Sequence, residues 1–176
     1  GSEMCIRDSN TYIGNTAGYY QTGANNVALG LYTFLGSSTP ANNTGGQNTA
    51  IGMHALYSNT TASNNTAVGY QAGYSNTSGP YHAFVGYQAG YSNTSGAENT
   101  ALGWLALYAN QTGNYNVALG GEALKNNTSN GNVAVGTATL YNNTTGGNNT
   151  AIGGADIASF YNALARNTTG SYNIAV

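Results

Sequence analysis

One short motif, a small residue followed by an aliphatic residue and then glycine, returns along this chain at nearly constant spacing. Its glycines are Gly14, Gly30, Gly52, Gly69, Gly86, Gly103, Gly120, Gly136 and Gly153, at intervals of 16, 22, 17, 17, 17, 17, 16 and 17 residues. A tenth copy opens with Asn173-Ile174-Ala175-Val176. A unit this short cannot bury a core by itself, so its copies must stack on one another to become stable. The feature that dominates the sequence therefore predicts a solenoid of about ten 17-residue rungs.

The consensus unit reads N-T-A-[VIL]-G-x-x-A-[LG]-Y-x-N-T-[ST]-G-x-x. In Asn65 to Tyr81, Thr66 and Val68 fall on one face of a short strand, and Asn65 and Ala67 on the other. Gly69 lets the chain turn, Ala72-Gly73-Tyr74 reads as a second short strand, and Asn76-Thr77-Ser78-Gly79 is a turn cluster. Glycines and Asn/Thr clusters interrupt every potential helical turn. The expected class is all-β, with parallel rungs about 4.8 Å apart and a rod of roughly 48 Å.

Three rows would run along such a rod. The aliphatic position, occupied by Ile51, Val68, Val85, Leu102, Leu119, Val135 and Ile152, is expected to join into a thin core. The first position holds Asn10, Asn26, Asn48, Asn65, Asn99, Asn116, Asn132, Asn149 and Asn173, with His82 in the remaining copy. This row predicts a structural ladder of side-chain amides, each donating to one neighbour and accepting from the other. Tyr57, Tyr74, Tyr91, Tyr108 and Tyr141, with Tyr19 at the same position near the start, predict a stacked aromatic row that serves packing more than ligand binding.

Two copies carry insertions, near Gly36 to Ala41 and close to Asp156 to Asn162, which are expected as surface loops. Residues 1–8 (GSEMCIRD) share nothing with the repeat and read as a tag or a translated adapter artefact. The repeat domain then covers 9–176. Neither end carries a capping repeat, so it reads as an uncapped piece of a longer array.

Only 5% of residues are charged and the net charge is -2, which offers no basic face for nucleic acid or anionic lipid. No stretch approaches the roughly 18 apolar residues of a membrane span. Cys5 is the single cysteine, so no intrachain disulfide can form. The histidines, His54 and His82, lie in different rows, and the acids beyond residue 8 are Glu98, Glu122 and Asp156, in different copies. No Ser-His-Asp set, paired-carboxylate site, recurrent Asp calcium ligands, phosphate loop or thiol cluster emerges. The sequence therefore predicts no enzyme, no cofactor and no metal site. Asn-x-Ser/Thr triplets at Asn59, Asn64, Asn76, Asn93 and Asn110 match the glycosylation pattern but follow from composition, and are expected to be bare.

The segments Asn26-Val27-Ala28-Leu29-Gly30, Asn116-Val117-Ala118-Leu119-Gly120 and Asn132-Val133-Ala134-Val135-Gly136 resemble the YadA-like head repeats of trimeric autotransporter adhesins. Asn65-Thr66-Ala67-Val68-Gly69-Tyr70-Gln71-Ala72 is also similar to repeats of phage tail fibres and bacterial surface proteins. The resemblance covers nearly the whole chain after Ser9. It implies a left-handed β-roll, a homotrimer, and a place outside the cell, on a cell or virion surface. The 17-residue unit is slightly longer than the usual head repeat, and the Tyr row is a departure. The functional expectation is a structural and adhesive fibre segment presenting a surface to a glycan or cell-surface receptor. Two alternatives are an ice-binding solenoid and a polysaccharide-degrading tail spike. Ice binding would use the rows Thr11, Thr49, Thr66, Thr100, Thr150 and Thr60, Thr77, Thr94, Thr128, Thr144.

Overall fold

A computed structural model describes residues 4–7, 9–154 and 163–176. The chain is an all-β solenoid. Its strands are β1 (Met4–Arg7), β2 (Asn10–Ile13), β3 (Val27–Leu29), β4 (Thr49–Ile51), β5 (Thr66–Val68), β6 (Ala83–Val85), β7 (Thr100–Leu102), β8 (Val117–Leu119), β9 (Val133–Val135), β10 (Thr150–Ile152) and β11 (Ile174–Ala175). They form one sheet in sequence order. From β2 to β11 every pairing is parallel and keeps the repeat in register, as in Thr66↔Ala83, Ala67↔Phe84 and Val68↔Val85.

β1 departs from expectation. The segment that reads as foreign to the repeat pairs antiparallel with β2, from Met4↔Ile13 to Arg7↔Asn10. The N-terminal edge strand of the sheet is thus β1, antiparallel to the rungs that follow it.

The second strand of each rung is also replaced. Residues 70–75 form a run of turns. Its backbone still bonds the next rung: Gly73 N–H donates to the Ala89 carbonyl at 2.9 Å and Ser75 N–H to that of Tyr91 at 3.0 Å. Alternate residues of this run have left-handed backbones, such as Gln71 (φ 54) and Gly73 (φ 60), and in other rungs even leucines do, such as Leu107 (φ 55). Left-handed φ disfavours an L-residue, and the repeated inter-rung hydrogen bonds hold it in place. The invariant glycine has two reasons to be glycine. Gly69 has φ +134, and a Cβ there would stand 2.4 Å from the Gly86 carbonyl oxygen of the next rung.

The core lies on the opposite face of the strand from the one expected. Ala28, Ala50, Ala67, Phe84, Ala101, Ala118, Ala134 and Ala151, at the centre of each strand, are buried. So are Ala55, Ala72, Ala89, Ala106 and Ala123 and the column Phe34, Leu56, Leu107, Leu124 and Leu140. The aliphatic row faces out: Ile51, Val68, Leu119 and Val135 are half-buried and Val85, Leu102 and Ile152 are exposed. The contrast within one strand is plain, with Ala101 at 0% and Leu102 at 43% exposure. The reason is steric. The walls of each rung lie so close that one side accommodates little more than a methyl group while the other supplies a leucine, and the aliphatic side chains are left to the outer face.

Candidate binding surface

The Asn row lies inside, and its geometry explains why one residue type recurs there. Each side-chain oxygen accepts the backbone N–H of the same position one rung on. Asn48 N–H donates to Asn26 Oδ1 (2.8 Å), Asn65 N–H to Asn48 Oδ1 (3.0 Å) and His82 N–H to Asn65 Oδ1 (2.8 Å). The relay continues through Asn99, Asn116, Asn132 and Asn149 to Asn173. The Nδ2 groups donate mainly across the rung to backbone carbonyls, as Asn99 does to Gly113 (2.7 Å). This row therefore bonds chiefly side chain to backbone, which satisfies buried backbone N–H groups that would otherwise each cost about 1–3 kcal/mol. The exception among the row's side-chain amides is Asn65 Nδ2, which is buried without a partner where His82 replaces the next Asn.

The side chain-to-side chain bonds expected of that row occur from Asn48 to Asn26 (3.1 Å), Asn116 to Asn99 (3.1 Å) and Asn173 to Asn149 (2.9 Å), and a second Asn column carries a further ladder of them. Asn93 Nδ2 donates to Asn76 Oδ1 (3.0 Å), Asn110 Nδ2 to Asn93 Oδ1 (3.2 Å) and Asn143 Nδ2 to Asn127 Oδ1 (2.7 Å). Asn59, Asn76, Asn93 and Asn110 are fully buried here, so those four glycosylation triplets are closed to modification in the folded chain, whereas Asn64 is exposed. The signal for this column was in the sequence, as the Asn of Tyr-x-Asn-Thr in several rungs (Asn59, Asn76, Asn93, Asn143), with Gln111 in place of Thr after Asn110 and Lys125 in place of Tyr before Asn127.

His82 occupies the ladder position with both ring nitrogens engaged. Asn99 N–H donates to Nδ1 (3.1 Å), and Nε2 lies 3.0 Å from Asn93 Nδ2. Its ring stacks on Phe84, with centroids 4.5 Å apart. Burial pushes the imidazole down to about 4, only partly countered by hydrogen bonds to the Gly96 and Asn99 backbone.

The outer surface is where recognition chemistry can occur. Beside the outward aliphatic row runs a second exposed column, Leu31, Met53, Tyr70, Tyr87 and Trp104, one residue after the invariant glycine. The tyrosine row follows along the turn. Tyr57, Tyr74, Tyr91 and Tyr108 stack with centroids 5.0, 5.2 and 5.2 Å apart and planes within 9°. Burial and the neighbouring Tyr57, Tyr91 and Tyr70 raise the Tyr74 phenol above its usual range. Tyr141 does not join the stack, because Lys125 takes the intervening rung and places Nζ 5.3 Å over the Tyr141 ring. Lys125 also bonds Glu122 (2.6 Å); burial alone would lower its ammonium, but the bonds to Glu122 and Tyr141 raise it on balance. His54 stacks on Tyr32 and meets Tyr57 and Tyr74 edge-on.

The two Thr rows differ. Thr66 is exposed on the outer strand face, and Thr49, Thr100 and Thr150 are half-buried there. The hydroxyls of Thr60, Thr77, Thr94, Thr128 and Thr144 each donate to a backbone carbonyl of the next rung at 3.0 Å. Glu98 is exposed in a turn and Glu122 is paired with Lys125. Asp156 and the second insertion, 156–162, lie outside the described residues. The first insertion is a surface loop containing one 3-10 turn at Pro40–Asn42. Among the described residues no three His, Cys, Asp or Glu side chains gather as metal ligands, and no helix is long and apolar enough to cross a membrane. No protein-family model, curated protein or solved structure matches this chain.

Proposed function

We propose that this chain is a structural and adhesive fibre segment, a stiff spacer that assembles as a homotrimer outside the cell, on a cell or virion surface, and presents its sides to a glycan or cell-surface receptor. One observation carries the reading. The outward aliphatic row, half-buried to exposed along its length, and the column Leu31, Met53, Tyr70, Tyr87 and Trp104 lie side by side. The aliphatic row runs roughly 45 Å along the sheet, and the second column widens it over five rungs, roughly 20 Å, counted at one strand per ~4.8 Å. Soluble monomers rarely leave a contiguous strip of that size bare, and such strips mark contact surfaces. The family resemblance supplies the stoichiometry and the setting.

Light scattering on the purified chain tests it: a mass of three chains is expected, and a monodisperse single chain at all concentrations removes the assembly reading. Ice binding has narrower support, since one Thr row spends its hydroxyls on the backbone and the other is broken by Val27, Ala83, Val117, Val133 and Ile174. Thermal hysteresis at high protein concentration is the measurement that would revive it.

A further inference from the structure

The tyrosine stack has a chemistry that neither rigidity nor adhesion uses. Four phenols stand face to face along one side of the rod, at 5.0–5.2 Å and within 9° of parallel. A shorter stack, Tyr70 and Tyr87, lies nearby at 5.5 Å and 14°. Every ring of the long stack is half-buried, so the phenols meet solvent while the faces are occupied by neighbours. Those closed faces argue against a sugar-stacking platform. They favour electronic contact between successive rings instead. The stack stops at Lys125, whose ammonium stands where the next ring would be and opposes positive charge on the column.

We propose that Tyr57, Tyr74, Tyr91 and Tyr108 act as one oxidation site, over which an electron vacancy is shared, and that its product is a dityrosine bond between adjacent rungs. This rests on the stack alone and is independent of the fibre reading. A one-electron oxidant takes an electron from one phenol, and the phenolic proton passes to water. A second equivalent does the same at a neighbour. The two phenoxyl radicals join through the ring carbons beside their oxygens. The hydrogen on each joined carbon then moves to oxygen, restoring two phenols. Two electrons and two protons leave for each bond formed. The product requires each ring to turn about its Cβ–Cγ bond and the two ring axes to tilt toward one another through the Cα–Cβ torsions. Its consequence is a covalent staple along the rod axis, joining rungs otherwise held by hydrogen bonds.

The test is photo-oxidation of the dilute full chain with a ruthenium tris-bipyridyl complex and persulfate, followed by dityrosine fluorescence and mass mapping of a thermolysin digest. Cross-links 57–74, 74–91 and 91–108 are expected to form ahead of oxidation at the more exposed Tyr81, Tyr115 and Tyr172, which are 60%, 60% and 80% exposed. The double variant Tyr74→Phe/Tyr91→Phe keeps four stacked rings but no adjacent phenols in the stack, and should lose all three cross-links, retaining at most products of the other close pairs, Tyr70–Tyr87 and Tyr19–Tyr20. Circular dichroism verifies that it folds. Oxidation ordered by exposure alone, or cross-links found only between chains, would overturn the proposal.

Discussion

Rungs 82–98 and 99–115 have the same length and the same backbone path, yet they fill their interiors from opposite walls. The second uses Ala101 on the strand and Leu107 on the turn, both fully buried. The first reverses the sizes, with Phe84 on the strand and Gly90 on the turn, where a Cβ would stand 2.6 Å from the Phe84 ring. Phe84 also reaches the preceding rung, where a Cβ on Gly73 would meet it at 3.0 Å and Leu56 at 2.9 Å. The first rung repeats the reversal: a Cβ on Gly18 would stand 2.5 Å from the Tyr12 ring. The solenoid thus conserves the volume shared by two facing positions, not the residue at either. Close packing demands this, since interiors leave little free volume.

The largest effect should come from breaking that exchange. Phe84→Ala removes a ring that serves two glycine-walled rungs and should cost about 3–5 kcal/mol. Gly90→Leu alone overpacks against Phe84 and should cost more than the roughly 1–3 kcal/mol usual for an added side chain. Phe84→Ala/Gly90→Leu recreates the arrangement of the neighbouring rung. Urea unfolding should then show a coupling of at least about 2 kcal/mol in favour of the double variant. Additive losses would mean that the two walls do not share a volume.

The same two rungs differ at the ladder, His82 against Asn99, and pH separates them. The folded His82 has its pKa lowered to about 4 by burial, below the 6.5 of the free side chain. The unfolded chain therefore binds more protons between these values, and stability falls as the pH drops from 6.5 towards 4. From pH 7 to pH 5 the loss should be about 2 kcal/mol. His82→Asn restores the ladder residue of the other rungs and should remove that slope. The groups packed on the imidazole are Asn65, Asn93, Asn99, the Gly96 backbone and Phe84, none of which titrates in this range. An unchanged slope in His82→Asn would place the titration elsewhere.

These comparisons show what could be read in advance. Period and parallel register follow from spacing, because one glycine and one Asn per rung fix where the strand lies; that the Asn position is buried did not, since it shares a strand face with the alanines. Which strand face is inside did not follow from hydrophobicity, which ranks leucine above alanine. The better signal was tolerance. Ile51, Val68, Leu102 and Ile152 exchange shapes freely, as outward residues can. Ala50, Ala67 and Ala101 hardly vary, and the two exceptions, Tyr12 and Phe84, are matched by Gly18 and Gly90. The break in the tyrosine stack was also legible, since Lys125 stands at the Tyr register between Tyr108 and Tyr141. The left-handed leucines were not, because no local preference encodes them and only the stacked neighbours enforce that backbone.

The smallest effect belongs to the outer face, and its size depends on what covers that face. Val85→Thr and Leu102→Thr, one in each rung, keep β-branched or comparable strand shape while removing apolar surface. In a chain diluted until single, both side chains meet water, and each substitution should change unfolding by no more than about 0.5 kcal/mol. If the strip is a contact between copies, the same substitutions lower the stability increasingly as concentration rises, because association stabilises only the folded chains that pair. Urea midpoints measured over a wide concentration series separate the two cases. A concentration-independent loss as large as that of Phe84→Ala would instead return the aliphatic row to the core.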